Sequence, residues 1–155
     1  ILAYHTVFLP SIRYTLPQSF FDRSKLDQAQ ARSTSLIIAK CGYNRHTARA
    51  LIYAPTEYAG GGFLPWYLVQ GEGQILHFIK HWRSNTIVSE MLRMALTWAQ
   101  WQSGHDKPIL EDVSTPLPYL ECRWLSSLRN FLRTIQAQIA TDHPIVASNR
   151  KWFIT

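Results

Sequence analysis

The chain has 155 residues, 46% of them hydrophobic, and contains six Trp, seven Tyr and seven Phe. This length suits one domain of ~100–150 residues with an appended segment, and the composition excludes a disordered chain. The net charge of +6 permits an anionic partner. The charge is uneven, because residues 1–52 hold seven Lys and Arg against two Asp, whereas the remainder is nearly neutral.

The two cysteines, Cys41 and Cys122, are too few for a disulfide framework, so we expect small buried hydrophobic residues in a reducing intracellular compartment, nuclear or cytoplasmic. No uncharged apolar run approaches the ~20 residues of a membrane span, and the apolar start has no basic leader. We therefore expect neither a membrane span nor a signal peptide. Because the chain opens on Ile within an apolar pattern, we expect a piece of a longer polypeptide.

The first 16 residues combine aliphatic and aromatic side chains with a proline at position 10. Proline in a helix interior costs ~3 kcal/mol, so the pattern predicts a helix interrupted near Pro10. Its apolar side chains are typical of a segment that docks onto upstream structure.

A longer helix is predicted from Ser24, which forms a capping-box pattern with Asp27. Apolar or small residues follow at helical spacing, at Leu26, Ala29, Ser33, Ile37 and Cys41. Gly42 predicts the end of the helix, because a residue without Cβ adopts the left-handed conformation at little cost.

A short second helix is predicted from a cap at Asn44 or Thr47 to Tyr53, with Pro55 ending it. Three glycines, at positions 60–62, follow before Pro65 and mark the clearest boundary in the chain. No Lys-Ser or Lys-Thr pair follows them, so a tight turn is favoured over a phosphate-binding loop.

Three further helices are predicted after this turn. The first carries Ile75, Phe78, Ile79 and Trp82 on one face, and the second begins at Asn85 or Thr86, carries Ile87, Met91, Met94, Trp98 and Trp101 at heptad spacing and ends at Gly104. After a proline-containing loop, Leu120, Trp124, Leu128, Phe131, Ile135 and Ile139 define the third.

No segment has a convincing strand pattern, so we predict a mostly α fold, an irregular helical bundle with little or no strand. The predicted organisation is a basic helical bundle at 1–57, a glycine/proline turn at 58–65, a helical extension at 66–140 and an irregular tail at 141–155.

The densest positive charge lies on the helix that begins at Ser24. Lys25, Arg32 and Lys40 fall within an arc of about 80°, beside the apolar stripe, and Arg45 and Arg49 follow the Gly42 turn. Cations in this arrangement suit phosphate oxygens, which Gln28 and Gln30 could also contact. The alternative is a solvated helix face with no ligand.

Other residues give weaker signals. His77 and His81 share one helix face, but Phe78 stands where a zinc protease has Glu, so two exposed imidazoles are favoured over a metal site. Glu111 and Asp112 are adjacent carboxylates, for which we expect a hydrated loop without a catalytic role. Trp82, Trp98, Trp101 and Trp124 are predicted core residues, which leaves Tyr43, Tyr53, Trp66 and Tyr67 as candidates for base stacking.

Several segments resemble a known family. VFLPSIRYTLP, LDQAQAR, IIAKCGYN and the turn containing Ala54, Pro55 and Gly60 to Gly62 resemble the region after the palm in reverse transcriptases of non-LTR retrotransposons. QGEGQILHFIKHWRS, ALTWAQWQSG, PILEDVSTPLP and CRWLSSLRNFL resemble the helical segment that follows it. The resemblance covers about residues 1–140 and departs at Ala54, where the family has glycine.

The resemblance implies a thumb and connector of an RNA-dependent DNA polymerase, which grips an RNA/DNA template-primer duplex beside an upstream palm. It implies phosphate contacts from Lys25, Arg32 and Lys40 and secondary contacts from Arg45 and Arg49. The palm's aromatic-Ala-Asp-Asp turn is absent, so we expect no catalysis and no cofactor in this chain; the palm would use Mg²⁺. The alternatives are a helical protein-interaction or scaffold module and a metal-dependent enzyme using His77 and His81.

Overall fold

The computed structural model describes residues 2–44 and 46–141. The described residues are 64% helical and contain six α-helices and no strand, which confirms the predicted mostly α fold. The helices are α1 Leu9–Thr15, α2 Arg23–Lys40, α3 Arg49–Tyr53, α4 Trp66–Trp82, α5 Ile87–Ser103 and α6 Arg123–Thr134. The predicted tail lies outside the described residues, apart from Thr141.

The chain forms two compact units that divide between Gly73 and Gln74, inside α4. The division does not fall at the 58–65 turn, because Phe63 and Val69, on either side of Pro65, are buried in the N-terminal core. That core also contains Tyr4, Leu9, Leu16, Leu26, Ile38 and Ile52. The C-terminal core includes Phe78, Leu96, Ala99, Ile109, Leu110, Leu125, Leu128 and Leu132.

The N-terminal segment remains helical through Pro10, so the predicted interruption is wrong. A π-helical turn, Tyr4–Phe8, leads directly into α1, and the N–H of Leu9 donates to the carbonyl of Tyr4. Pro10 occupies the first turn of α1, where its missing N–H and fixed φ are tolerated. The helix therefore changes its pitch before the proline.

Helix α2 is capped two residues before the cap that the sequence predicts. Asp22 is the N-cap residue and Ser24 already lies inside the helix, so the predicted capping box is wrong. The end is as predicted: Gly42 has a φ of 81°. The N–H of Tyr43 donates to Ile38 O at 3.2 Å, and that of Gly42 donates to Ala39 O, the pattern of a Schellman motif.

Helix α3 ends before Pro55 as predicted, but it is capped by Ala48 without a side-chain hydrogen bond. The following glycines fold back on it. The N–H groups of Gly60, Gly61 and Gly62 donate to carbonyls of Pro55, Leu51 and Ala54, at 2.9 to 3.0 Å. Because all three donors are used within the protein, this segment is a tight turn and not a phosphate-binding loop.

Helix α5 is capped as predicted, since Thr86 Oγ1 accepts from the N–H of Ser89, but it buries a different face from the one predicted. Its buried residues are Ser89, Leu96, Ala99 and Gln100. The heptad stripe faces outward, at Ile87, Met91, Met94, Trp98 and Trp101, so Trp98 and Trp101 are not core residues. Trp82 and Trp124 are half-buried against the C-terminal core.

Helix α6 is shorter than predicted, because the chain turns after Thr134 without a glycine. Gln136 adopts the left-handed conformation with a φ of 54°, and the N–H of Ala137 donates to Leu132 O at 3.0 Å. The loop before α6 contains prolines, but its apolar residues are also buried in the core. It contributes Ile109, Leu110, Val113, Leu117 and Leu120 to the C-terminal core.

Candidate functional site

The exposed side of α2 carries the three predicted phosphate contacts. Lys25, Arg32 and Lys40 are all exposed, and we call them the α2 ridge. The first cation lies fifteen positions before the last, which is about 22 Å along the axis. None of the three has an ion-pair partner among the described residues, so their positive charges are available to an external anion.

The one acidic side chain of α2 lies near its N-terminus. Asp27 pairs with Arg23 at 3.6 Å, and both side chains are more than half exposed. The guanidinium of Arg23 also lies 5.5 Å from the ring centroid of Tyr67. An exposed i, i+4 pair contributes only about 0.3–0.5 kcal/mol, so it adds little to stability and leaves the α2 ridge uncompensated.

Gln30 holds α2 in place and is not available to a ligand, contrary to the prediction that it could contact phosphate. It is 4% exposed. Its Nε2 donates to Leu64 O and its Oε1 accepts from the N–H of Trp66, both at 2.9 Å. The side chain therefore ties α2 to the start of α4, whereas Gln28 is exposed.

Arg49 does not join the α2 ridge. It lies with Tyr53 in a groove of ≈ 310 Å³, whose other wall includes Thr34 of α2. Thr34 follows Arg32 by two residues, or about 200° around the helix axis, so the groove and the α2 ridge lie on opposite sides of α2. The predicted contacts thus form two surfaces, and Arg45 lies outside the described residues.

The predicted stacking residues are less accessible than the prediction requires. Tyr43, Tyr53, Trp66 and Tyr67 are all half-buried and pack against the N-terminal core. The most exposed tyrosines of this unit are instead Tyr14 and Tyr58, at 74% and 78%. Tyr58 lies in the predicted glycine/proline turn. Its position in a turn is the sequence feature that could have predicted its exposure.

Comparison of the chain with protein-family models, with curated proteins and with solved structures finds no match.

The remaining polar candidates have structural contacts. The rings of His77 and His81 stack with centroids 6.0 Å apart, and both residues are half-buried, although the sequence predicts exposed imidazoles. Within the part of the chain that the structure describes, no group of three or more His, Cys, Asp and Glu side chains could hold a metal ion. No helix of this part is long and apolar enough to cross a bilayer.

The two adjacent carboxylates of the C-terminal unit accept hydrogen bonds from loop residues. Glu111 Oε1 accepts from the N–H of Thr141 at 3.2 Å. Asp112 accepts hydrogen bonds from Ser114 and Thr115, which lower the pKa of its carboxyl to about 2.

Cys41 and Cys122 form no disulfide and are half-buried, not fully buried as predicted.

The second exposed surface is the heptad stripe of α5. Ile87, Met91, Met94, Trp98 and Trp101 are exposed at 48–74%. The two indole rings contact each other with centroids 5.1 Å apart, and Trp98 Nε1 donates to Glu121 at 3.2 Å. An exposed apolar stripe of five large side chains along one helix is typical of a binding surface for another protein.

Proposed function

We propose that this chain binds nucleic acid through the α2 ridge, as the thumb and connector part of a retrotransposon RNA-dependent DNA polymerase. The observation that supports the proposal best is the exposure of Lys25, Arg32 and Lys40 along one side of an 18-residue helix, without ion-pair partners among the described residues. The resemblance of residues 1–140 to this region of non-LTR reverse transcriptases supplies the polymerase context.

The proposed mechanism is electrostatic positioning of the template-primer duplex. Each cation that neutralises a phosphate releases condensed counterions, and this gain does not depend on base sequence. The two hydrogen bonds of the buried Gln30 side chain keep α2 fixed on its unit. The cations therefore approach the duplex as a preorganised row. In this proposal catalysis and Mg²⁺ belong to a palm upstream in the same polypeptide.

Fluorescence anisotropy with a labelled RNA/DNA duplex, measured across a salt series, tests the proposal. The triple substitution Lys25→Gln, Arg32→Gln and Lys40→Gln should abolish most of the binding. It should also reduce the slope of log K against log salt by about 2.7, at ~0.9 per phosphate contact.

A matched triple variant controls for the loss of three charges. Lys80→Gln, Arg83→Gln and Lys107→Gln neutralise three exposed cations of the C-terminal unit and should leave most of the binding intact. Equal losses in the two triple variants would reduce the effect to net charge, and binding insensitive to salt would contradict the proposal outright.

A second candidate function is a helical protein-interaction or scaffold module, and the exposed stripe on α5 favours it. The a/d spacing of its apolar residues suits pairing with the apolar stripe of another helix. Sedimentation analysis with and without duplex discriminates between the two functions. A stable oligomer indifferent to nucleic acid favours the module, whereas a monomer that binds duplex in a salt-dependent manner favours the α2 ridge.

Two substitutions on the stripe test whether the stripe is the interface of any oligomer that the chain forms. Met91→Glu with Met94→Glu should dissociate such an oligomer, because burying the two carboxylates in an apolar contact is unfavourable. Ser24→Glu with Gln28→Glu adds the same charge to exposed positions of α2 and should leave it assembled. An oligomer that survives both pairs of substitutions does not use the stripe.

A further inference from the structure

A cavity of ≈ 240 Å³ in the C-terminal unit lies between α6 and the loop before it. Its polar lining consists of Arg129, Arg133, Asn130, Ser126 and Thr115. Residues 116–118, Pro-Leu-Pro, form much of the apolar wall. No part of the α2 ridge belongs to this unit, so the cavity is a separate feature from the proposed duplex-binding surface.

Arg129 is the innermost of these side chains, at 5% exposure. Its Nη2 donates to the backbone carbonyls of Asp112 and Thr115, which fastens the loop to α6. Its Nε and Nη1 are buried and have no hydrogen-bond partner among the described residues. A buried charged group with unused donors is costly, since the loss of hydration is not offset by protein contacts.

The nearest carboxylate does not pair with this guanidinium. Asp112 attracts Arg129 at a distance, but the two side chains form no ion pair. The Asp112 oxygens instead accept from the hydroxyls of Ser114 and Thr115, at 2.5 and 3.0 Å. Arg129 and Arg133 together carry two positive charges against this one carboxylate, so the cavity has one positive charge in excess.

The rim of the cavity adds donors that face solvent. Arg133 and Asn130 are both exposed, and Arg133 Nη2 donates to Asn130 Oδ1 at 3.4 Å. This contact uses the amide oxygen of Asn130 and leaves its NH₂ group as a donor. The rim therefore offers guanidinium and amide donors, which bind oxyanions, whereas the hydroxyl of Ser126 already donates to Cys122 O at 3.3 Å.

We propose that this cavity binds a phosphate-class oxyanion, with the buried charge of Arg129 at its inner wall and donors from Arg133 and Asn130 at its rim. The phosphate can be free in solution or can be the terminal phosphate of a nucleic acid strand. The planar guanidinium fork of arginine suits phosphate in either form. The apolar wall leaves the anion less hydrated on that side, which strengthens its attraction to Arg129.

NMR titration of the full chain with inorganic phosphate tests the proposal, with chloride used to hold the ionic strength constant. The Nε–H signal of Arg129 and the amide signals of Ser126 and Asn130 should shift together along one saturable curve. A second titration compares a 5′-phosphorylated trinucleotide with its 5′-hydroxyl counterpart. Saturation by inorganic phosphate alone identifies the free anion as ligand, and preference for the phosphorylated strand identifies a strand end.

Arg133→Gln is the informative variant, because Arg129 also supports the loop and its replacement can unfold the unit. Loss of this rim cation should weaken phosphate binding about threefold to fivefold, the upper part of the range for an exposed charge contact. Arg123→Gln removes an exposed charge from the same helix away from the cavity and should leave the affinity unchanged. Absence of saturable shifts with either ligand, or equal weakening in the two variants, would overturn the proposal.

Discussion

Helices α2 and α5 have nearly the same length, 18 and 17 residues, but they expose opposite kinds of surface. Helix α2 exposes a row of cations and fixes itself to its unit through Leu26, Ile38 and the hydrogen-bonded Gln30. Helix α5 exposes a continuous apolar stripe and packs through Leu96 and Ala99.

Periodicity identifies the faces of a helix but not which face is covered. An exposed cation is well solvated and needs no partner to be stable. An exposed apolar stripe leaves about 25 cal/mol of stabilisation unrealised for each Å² that a partner would remove from water. The α2 ridge therefore suits a ligand that competes with water and salt, whereas the stripe suits an apolar partner.

The largest expected effect comes from the covered face of α5. Leu96 is 3% exposed in the C-terminal core, so Leu96→Ala should lower the free energy of unfolding by ~2–5 kcal/mol, through lost burial and the cavity it leaves. Met94→Ala, on the exposed stripe, should change it by less than ~0.5 kcal/mol. Urea denaturation followed by circular dichroism measures both. A large loss for Met94→Ala would show that the stripe is covered in solution.

The next effect concerns the attachment of α2. Gln30→Leu removes both hydrogen bonds of a buried amide and leaves Leu64 O and the Trp66 N–H unsatisfied, which should cost ~1–3 kcal/mol. Hydrogen exchange at the Trp66 amide should accelerate in parallel. Gln28→Leu makes the same chemical change at an exposed position of α2 and should leave both measurements near their wild-type values. Unchanged exchange in Gln30→Leu would mean that apolar contacts alone hold the helix.

The parts of the fold that could be predicted are those controlled by local chemistry. Gly42 and Gly104 end their helices because glycine adopts positive φ at little cost. The end of α6 could not be predicted in this way, since Gln136 adopts the same conformation and gives no such signal. The position of Asp22 as N-cap was missed because the Ser24 pattern has the same local chemistry.

The candidate site also has features that local chemistry predicts and features that depend on contacts distant in the chain. The exposure of Lys25, Arg32 and Lys40 follows from their arc on one helix and the cost of burying charge. The separation of Arg49 from them depends on how α3 folds back after α2, which no pattern within either helix specifies. The burial of Gln30 was equally hidden, because its partners Leu64 and Trp66 lie 34 and 36 residues along the chain.

The smallest expected effect compares the ends of the two helices directly. Gly42 and Gly104 have φ values of 81° and 63°, and a Cβ added at either position would meet no atom within 4 Å. Gly42→Ala and Gly104→Ala should therefore each cost ~1–2 kcal/mol, the backbone penalty of a left-handed alanine without any clash. Asn at either position should cost less, because its side chain tolerates this conformation.

Hydrogen exchange at the Tyr43 and Gly104 amides assigns each loss to its own helix end, since these N–H groups donate to Ile38 O and Trp101 O. Equal losses would mean that both ends are well formed in solution, and that Lys40 is held in line with the rest of the α2 ridge. A loss for Gly104→Ala alone would mean that the last turn of α2 frays. In that case Lys40 could contribute charge to a duplex but not a fixed contact, and neutralising Lys25 and Arg32 should account for nearly all of the binding.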